Sequence, residues 1–214
     1  IPIVLLLISQ PDIGQTILIV LTWLALIFVS GVNLFIFFGL FGFFILILFY
    51  LIFFVGKFYY IKIRIASFFD SSSNNYSQAE KASEAIIDGG FFGKGIGEGT
   101  LNSKIPEAHT DFIISVISEE FGIIIILLIM LGFISFAYNV FKKIRDTHDN
   151  IFKMILIGLI SLLMMQAFVH VGVNLQVLPT TGMTLPYLSY GGSSIISISI
   201  ISGIILNLTK RRVY

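Results

Sequence analysis

The stretch that decides the fold runs from residue 13 to residue 55 and reads IGQTILIVLTWLALIFVSGVNLFIFFGLFGFFILILFYLIFFV, without one charged side chain. A helix needs about 20 apolar residues to cross a bilayer, so the stretch is long enough for two crossings. Ser30, Gly31 and Asn33 interrupt it with residue types that favour turns. We therefore predict one membrane helix over residues 13–30 and a second over residues 34–55.

The remainder of the chain has the same apolar character. Hydrophobic residues make up 57% of the 214 positions and charged residues 12%, whereas a soluble domain has roughly 45–50% and 25%. Further helices are predicted over residues 1–9, 112–141, 153–177 and 193–209. The sequence therefore predicts an all-α fold, a polytopic transmembrane helix bundle, with a long extracytoplasmic loop over residues 56–111 in which SQAEKASEAII could form a short helix lying on the surface.

The composition also excludes several classes of function. There is no cysteine, which excludes disulfides, thiolate metal sites and cysteine nucleophiles. The net charge of +1 gives no indication of a nucleic-acid partner. The first residues, IPIVLLLIS, are apolar with no basic segment before them. We interpret them as the tail of a membrane helix and not as a signal peptide, and expect a piece of a longer protein.

Basic residues in the short loops predict the orientation, because lysine and arginine are enriched on the cytoplasmic side of a membrane. Two segments carry them, FKKIRDTHDNIFK at residues 141–153 and TKRRVY at residues 209–214. Two predicted crossings separate these segments, so both are expected in the cytoplasm. Counting crossings from them then puts residues 56–111 and 178–191 on the outer side.

The segment IPEAHTDFIISVISEEFG, residues 105–122, carries ionisable groups at the start of an apolar helix. Charged side chains are costly in hydrocarbon and usually face a partner or a water-filled cavity. We predict Thr110 as the N-cap of this helix and Asp111 in its first turn. Helical spacing then puts Asp111, Ser115, Ser118 and Gly122 on one polar face, with Glu119 on its flank. Such a face is expected for the wall of a hydrated cavity; the alternative is interfacial capping and snorkelling without chemistry.

Two irregular segments accompany this helix. The backbone N–H groups of GGFFGKGIGEG, residues 89–99, could cradle phosphate oxygens, but the segment matches no nucleotide-binding motif, and a plain flexible loop is the favoured alternative. LPTTGMTLPYLSYGGSS, residues 178–194, is either a re-entrant element lining the same cavity or a tight interfacial turn. His170 is interpreted as a hydrogen-bonded packing residue, and no metal site is predicted.

Four groups of residues together resemble the SEDS family, the FtsW/RodA/SpoVE proteins that polymerise peptidoglycan. They are QPDIGQT at 10–16, GGFFGKGIGEG at 89–99, PEAHTDFI at 106–113 with EEFG at 119–122, and PTTGMTLPYLSYGGSS at 179–194. They follow the order and spacing of the family, and Ala108 resembles its FtsW branch. The resemblance covers residues 1–214 and implies the C-terminal half of a membrane domain with about ten crossings.

The resemblance implies a peptidoglycan glycosyltransferase that polymerises lipid II, the undecaprenyl-diphosphate disaccharide-pentapeptide, during cell division. On this interpretation Asp111 is the general base for the attacking sugar hydroxyl. Four residues would support it: Glu107, His109, Ser115 and Glu119. The expected contacts to the substrate diphosphate are Lys94, Lys104, Ser189, Gly191, Gly192 and Ser193. No cofactor is identified, although a divalent metal ion at the diphosphate is compatible with this chemistry.

The partners implied by the resemblance are lipid II, a class B penicillin-binding protein transpeptidase and other divisome membrane proteins. The implied location is the bacterial inner (cytoplasmic) membrane, at the division septum. Two alternatives stay open, a lipid II flippase and a non-catalytic scaffold for a transpeptidase. This chain alone is expected to be inactive, because the cavity of the family draws on both halves.

Overall fold

The computed structural model describes residues 2–10, 12–69, 74–100, 105 and 107–210. Every regular element in these ranges is helical, so the all-α prediction is confirmed there. The chain divides into two compact units, residues 1–77 and 78–214, each with its own internal packing.

The first unit consists, in its described part, of four helices, and short polar side chains cap the starts of two of them. In chain order they are α1 (Pro2–Ser9), α2 (Ile13–Val29), α3 (Leu34–Phe54) and, after a single 3₁₀ turn at Gly56–Phe58, α4 (Tyr59–Phe69). Asp12 caps α2 by accepting a hydrogen bond from the N–H of Gln15 at 3.0 Å, and Asn33 caps α3 through the N–H of Phe35 at 2.9 Å. These caps satisfy backbone donors that the first helical turn leaves unpaired.

The second unit is built on the helices that follow α5 (Asn74–Gly89), which begins just before the boundary between the units. They are α6 (Ile113–Phe121), α7 (Ile123–Asp146), α8 (Asn150–Asn174) and α9 (Gly192–Thr209). Helix α8 packs against α6, α7 and α9, and α7 packs against α6 and α9. The core therefore follows α8, where Leu156, Ile160 and Leu163 are each at most 1% exposed.

Among the described residues, four helices are long and apolar enough to cross a membrane: α3, α7, α8 and α9. The apolar part of α2, Gly14–Val29, is shorter. No residue of α3 is buried, which is typical of a helix whose phenylalanine-rich surface faces lipid. The fold is thus a polytopic transmembrane helix bundle, as predicted.

Two of the predicted boundaries are wrong. Residues 112–141 do not form one helix, because Gly122 adopts φ 82° and separates α6 from α7. The region 56–111 contains α4, which we did not predict, and α5, which agrees with the short helix predicted within the loop but is longer. Helix α5 covers the SQAEKASEAII stretch, where apolar and small residues recur at helical spacing, and its Ala82 and Ala85 are fully buried.

Candidate active site

The candidate site is built on a tight turn at residues 107–111, directly before α6. Glu107 adopts φ 57°, a conformation that is uncommon outside glycine. Its carbonyl accepts hydrogen bonds from the N–H groups of Thr110 at 3.1 Å and Asp111 at 3.0 Å. Its carboxylate accepts one from the Thr110 hydroxyl at 3.0 Å. Both the main chain and the side chain of Glu107 therefore hold this turn together.

The turn changes the predicted start of α6. The N-cap is Phe112, without a side-chain hydrogen bond, so the predictions that Thr110 caps the helix and that Asp111 lies in its first turn are wrong. The reason is that the N–H groups of Thr110 and Asp111 both donate to the Glu107 carbonyl, so these residues form a turn that precedes the helix. Asp111 consequently shares no helical face with Ser115, which is buried and donates to the Phe112 carbonyl at 2.6 Å.

Three consecutive carbonyl groups of this turn are bound by donors from elsewhere in the unit, an arrangement that we call the carbonyl clamp. The His109 carbonyl accepts from the N–H of Tyr190 at 3.0 Å. The Thr110 carbonyl accepts from the Ser189 hydroxyl at 2.7 Å, and the Asp111 carbonyl from the Asn174 side-chain amide at 3.1 Å. The backbone on both sides of Asp111 is thereby held against α8 and the segment that precedes α9.

A row of three polar side chains on α8, which we call the column, connects the clamp to the loop that precedes α9. Gln166, His170 and Asn174 follow one another at four-residue spacing and are all buried, so they lie on one helix face. The Gln166 amide donates to the Thr184 carbonyl at 2.9 Å, and His170 Nδ1 bonds the Met183 carbonyl at 2.7 Å. The interpretation of His170 as a hydrogen-bonded packing residue is confirmed, and the column fixes the loop that faces Asp111.

The carboxylate of Asp111 lies beside that loop. A Cβ atom placed on Gly182 would be 3.7 Å from Asp111 Oδ2, an ordinary van der Waals distance, so the carboxylate lies next to this glycine. Several nearby buried polar atoms have no hydrogen-bond partner among the described residues, including His170 Nε2, Asn174 Oδ1 and Thr181 Oγ1. Such atoms are rare in folded proteins unless water or a ligand satisfies them. The surroundings of Asp111 thus contain buried polar groups that ordered water can satisfy.

A cavity of about 550 Å³ opens next to the turn. His109 and Ser189 line it together with aromatic and aliphatic side chains from both sides, Ile113, Tyr187, Leu188, Tyr190 and Ile195. The cavity has a volume typical of a ligand pocket. It places a mostly apolar space next to the polar turn that carries Asp111.

The glycine-rich segment has a structural role that sequence patterns did not indicate. Its backbone pairs with the end of α6, since the N–H groups of Lys94 and Gly95 donate to the carbonyls of Glu119 and Glu120 at 2.9 and 3.1 Å. A Cβ atom on Gly93 would lie only 2.2 Å from the Glu120 carbonyl oxygen. Glycine is therefore required there by close approach of two backbones.

The two acidic residues of EEFG bind this segment. Glu119 is fully buried and its Oε1 accepts from the N–H of Thr100 at 2.7 Å, while Glu120 Oε1 accepts from the N–H of Gly97 at 3.3 Å. We predicted that Glu119 supports the site from the wall of a hydrated cavity. Its buried carboxylate binds the glycine-rich segment instead. Lys94 pairs with the carboxylate of Asp88, which competes with the predicted contact to a diphosphate.

The structure separates the other residues predicted to bind diphosphate. Ser189 is 3% exposed, and its hydroxyl is occupied by the Thr110 carbonyl and by the N–H of Leu185, so it acts as a tether. Gly191 is the N-cap residue of α9, and Gly192 and Ser193 are exposed in its first turn. Lys104 lies outside the described residues. The part of this group that remains accessible is thus the beginning of α9.

Sequence reasoning missed Gln166 and Asn174. The signal was present, because polar residues at positions 166, 170 and 174 recur every four residues in an otherwise apolar helix.

Within the described ranges, no group of three or more His, Asp or Glu side chains could hold a metal ion.

The helices that could span a membrane, with a clamped polar turn before α6, define the chain as a multi-pass α-helical membrane protein. The sequence model of the FtsW/RodA/SpoVE family, described as "Cell cycle protein", matches residues 1–214. The chain therefore belongs to the FtsW/RodA/SpoVE family.

Similar proteins carry informative names. The chain is 36% identical over 213 residues to a protein of Caulobacter vibrioides named "Probable peptidoglycan glycosyltransferase FtsW", covering 98% of this chain and 53% of the relative. A protein of Wigglesworthia glossinidia brevipalpis with the same name is 38% identical over 208 residues, covering 91% and 52%. The chain spans about half the length of the curated relatives that it matches.

A solved structure has the same fold. It is the structure reported as "Structural coordination of polymerization and crosslinking by a peptidoglycan synthase complex". It matches with a TM-score of 0.75 and 27% identity over 97% of this chain and 58% of that chain.

Proposed function

We propose that this chain forms part of a peptidoglycan glycosyltransferase that polymerises lipid II, with Asp111 as the general base. The observation that carries the proposal is the carbonyl clamp, which holds the backbone on both sides of a half-buried carboxylate beside Gly182. Relatives over nearly the whole chain are named as glycosyltransferases of this kind. Clamped geometry matters because a general base must be held within hydrogen-bond reach of its proton.

In the proposed reaction, the Asp111 carboxylate removes the proton of the incoming sugar hydroxyl. The hydroxyl oxygen forms a bond to the anomeric carbon of the growing chain while the bond from that carbon to the lipid diphosphate breaks. The bonding electrons leave with the diphosphate, and the proton stays on Asp111 until it is released to water. The neighbouring Glu107 and His109 are proposed to tune the base, since Glu107 shapes the turn and exposed His109 lines the adjoining cavity.

The leaving diphosphate needs positive charge or backbone donors. The N-terminal turn of α9 offers N–H groups at Gly192 and Ser193, both exposed, and helix N-termini favour anions. We include Lys104 from the sequence, and Lys94 if its pair with Asp88 opens. A divalent ion at the diphosphate would take most of its ligands from the phosphates, as Mg²⁺ often does.

We also propose a class B penicillin-binding protein as partner, together with other divisome proteins, and a location in the inner membrane at the division septum. Support for a partner comes from the solved structure with the same fold, which is described as a peptidoglycan synthase complex. Support for the division role comes from relatives named FtsW.

The proposal is tested by reconstitution in vesicles with fluorescent lipid II. The chain is supplied alone and together with the part of the Caulobacter relative that it does not cover. Glycan polymer on a gel in either preparation supports the proposal. Lipid II movement across the bilayer without polymer would identify a flippase instead. If neither polymer nor lipid II movement is seen in either preparation, the glycosyltransferase assignment is overturned. The remaining alternative is then a scaffold for a transpeptidase, which co-purification would detect.

A further inference from the structure

A second cavity lies far along the chain from the candidate active site, where α7 ends, α8 begins and α9 ends. It has a volume of about 240 Å³ and is lined by Lys143, Phe152, Asn207, Leu208 and Lys210. We call it the basic pocket. None of its lining residues belongs to the carbonyl clamp, so its role is independent of the proposed glycosyltransferase.

The charge of the basic pocket is not compensated by the described residues. Neither the Lys143 nor the Lys210 amine makes a hydrogen bond or ion pair within that part of the chain. Among the described residues, the acidic side chains close in sequence form no ion pair with either lysine. Asp146 lies 3.9 Å from Arg145, and Asp149 caps α8 by accepting from the N–H groups of Ile151 and Phe152. Two cationic groups therefore border the pocket without an anion from the described part of the protein.

The other residues that line the basic pocket can contact the apolar part and the phosphate of a lipid. Phe152 is 39% exposed and Leu208 is half-buried, so apolar surface stands next to the two amines. Asn207 adds an exposed amide that can donate to a phosphate oxygen. Basic pockets between the ends of membrane helices are a recurring mode of binding acidic lipid headgroups.

We propose that the basic pocket binds the phosphate headgroup of an anionic phospholipid. The phosphate contacts the amines of Lys143 and Lys210, and the glycerol and upper acyl chains lie along Phe152 and Leu208. The basic loops predict that this end of the helices is cytoplasmic, so the lipid comes from the inner leaflet. A free phosphate ion carries the same negative charge as the lipid headgroup but has no acyl chains. It would therefore contact the two amines and not Phe152 or Leu208.

The test uses the purified chain in detergent, incubated with phosphatidylglycerol or phosphatidylcholine and examined by native mass spectrometry. We expect one phosphatidylglycerol to stay bound in preference to phosphatidylcholine. The K143Q/K210Q variant keeps both side-chain stems and removes both charges. It should bind phosphatidylglycerol roughly 10- to 30-fold more weakly, since a lysine near an anionic lipid contributes about fivefold. The K143R/K210R variant keeps the charge and should retain the lipid.

The matched control is K142Q/K153Q, which removes the same charge from the same predicted side of the membrane at residues that do not line the pocket. It should change the affinity by less than about twofold. Equal loss in both glutamine variants, with helical circular dichroism unchanged, would mean a diffuse charge effect and would overturn the site. Full displacement of the lipid by millimolar glycerol phosphate would assign the site to a free anion and overturn the lipid assignment. A K143R/K210R variant that loses the lipid would contradict the proposed charge recognition.

Discussion

At the scale of single residues, the position of Asp111 depends on groups that bind its backbone and not on its place in a helix. The Glu107 carbonyl takes the N–H of Asp111, and the Asn174 amide takes its carbonyl. Both ends of the residue are therefore fixed, while the carboxylate is directed towards the loop at Gly182. Preorganisation of this kind is what distinguishes a candidate base from an ordinary interfacial carboxylate.

Replacing Asp111 with asparagine tests this role. The change keeps the size and most hydrogen bonding of the side chain but removes its basicity. We expect the rate of glycan polymerisation to fall by at least about 10²-fold, the lower range for a general base. The rate is measured with labelled lipid II in whichever reconstituted preparation forms polymer, at matched amounts of folded protein from size-exclusion chromatography.

Glu107 provides the comparison, since it is acidic, exposed and part of the same turn. Glu107→Gln keeps the acceptor for the Thr110 hydroxyl, so we expect weakened but persistent polymerisation. A nearly normal rate for Asp111→Asn with a lost rate for Glu107→Gln would move the base to Glu107.

Asn174 is expected to act as a positioning residue for Asp111. Its amide bonds both the His170 carbonyl, four residues earlier, and the Asp111 carbonyl, at 2.9 and 3.1 Å. Asn174→Ala leaves the Asp111 carbonyl without this donor, which costs about 1–3 kcal/mol. If the cost falls on the transition state, kcat drops roughly 5- to 150-fold. KM for lipid II should stay within about twofold, because the substrate-binding groups are untouched.

Asn139 is a matched control for this change. It makes the same kind of bond, to the Ser135 carbonyl four residues earlier at 2.9 Å, but it is exposed on α7. Asn139→Ala should leave both kcat and KM unchanged. Equal effects of the two substitutions would show that the loss is a general property of shortened helix side chains and not of the clamp.

At the scale of elements, the glycine-rich segment and α6 stabilise each other through backbone contacts. Gly122 ends α6 with positive φ, and a Cβ atom there would lie 2.2 Å from the Phe91 carbonyl oxygen. The N–H of Ile123, the first residue of α7, donates to the Gly90 carbonyl at 2.9 Å. The break between α6 and α7 is therefore occupied by the glycine-rich segment.

Gly93→Ala should destabilise this arrangement more than Gly97→Ala. Both glycines have positive φ, 78° and 76°, which costs alanine about 1–2 kcal/mol at either position. Only at Gly93 would the added Cβ meet another backbone, so overpacking adds about 1–3 kcal/mol. The melting temperature, followed by helical circular dichroism in detergent, should be clearly lower for Gly93→Ala. Equal melting temperatures would contradict the close contact.

The elements that sequence could predict are those governed by local pattern. The uncharged run at residues 34–55 is α3, Leu34–Phe54, within one residue, because length and hydropathy alone define a membrane helix. Helix α4 was missed because Lys57, Lys62 and Arg64 made its region resemble a solvated loop. The break at Gly122 was missed because its cause is a contact with Phe91, distant in sequence.

The same distinction applies to the candidate site. The proposal of Asp111 rests on its residue type and on family resemblance, which are visible in sequence. The clamp donors Ser189 and Asn174 act on carbonyls 79 and 63 residues away. No local pattern indicates such a pairing, because it forms only when distant segments of the chain come together in the fold.

At the scale of the whole molecule, the orientation in the membrane remains a prediction, with residues 142–153 and 210–214 in the cytoplasm. Since the chain has no cysteine, single cysteines report position cleanly. Ile96→Cys, at a side chain that is 78% exposed, should react with an impermeant thiol reagent in intact cells. His148→Cys, also at an exposed position, should react only after permeabilisation. The reverse pattern would invert the orientation.

The carbonyl clamp has an evolutionary consequence. Because it holds residues 109 and 110 only by their carbonyl oxygens, mutation can exchange the side chain of His109 without displacing the neighbouring Asp111. Ser189 and Asn174 have no such latitude, since their side chains are the donors. Lineages of this protein could therefore diversify the rim of the adjoining cavity, where His109 lies, while the carboxylate keeps its place.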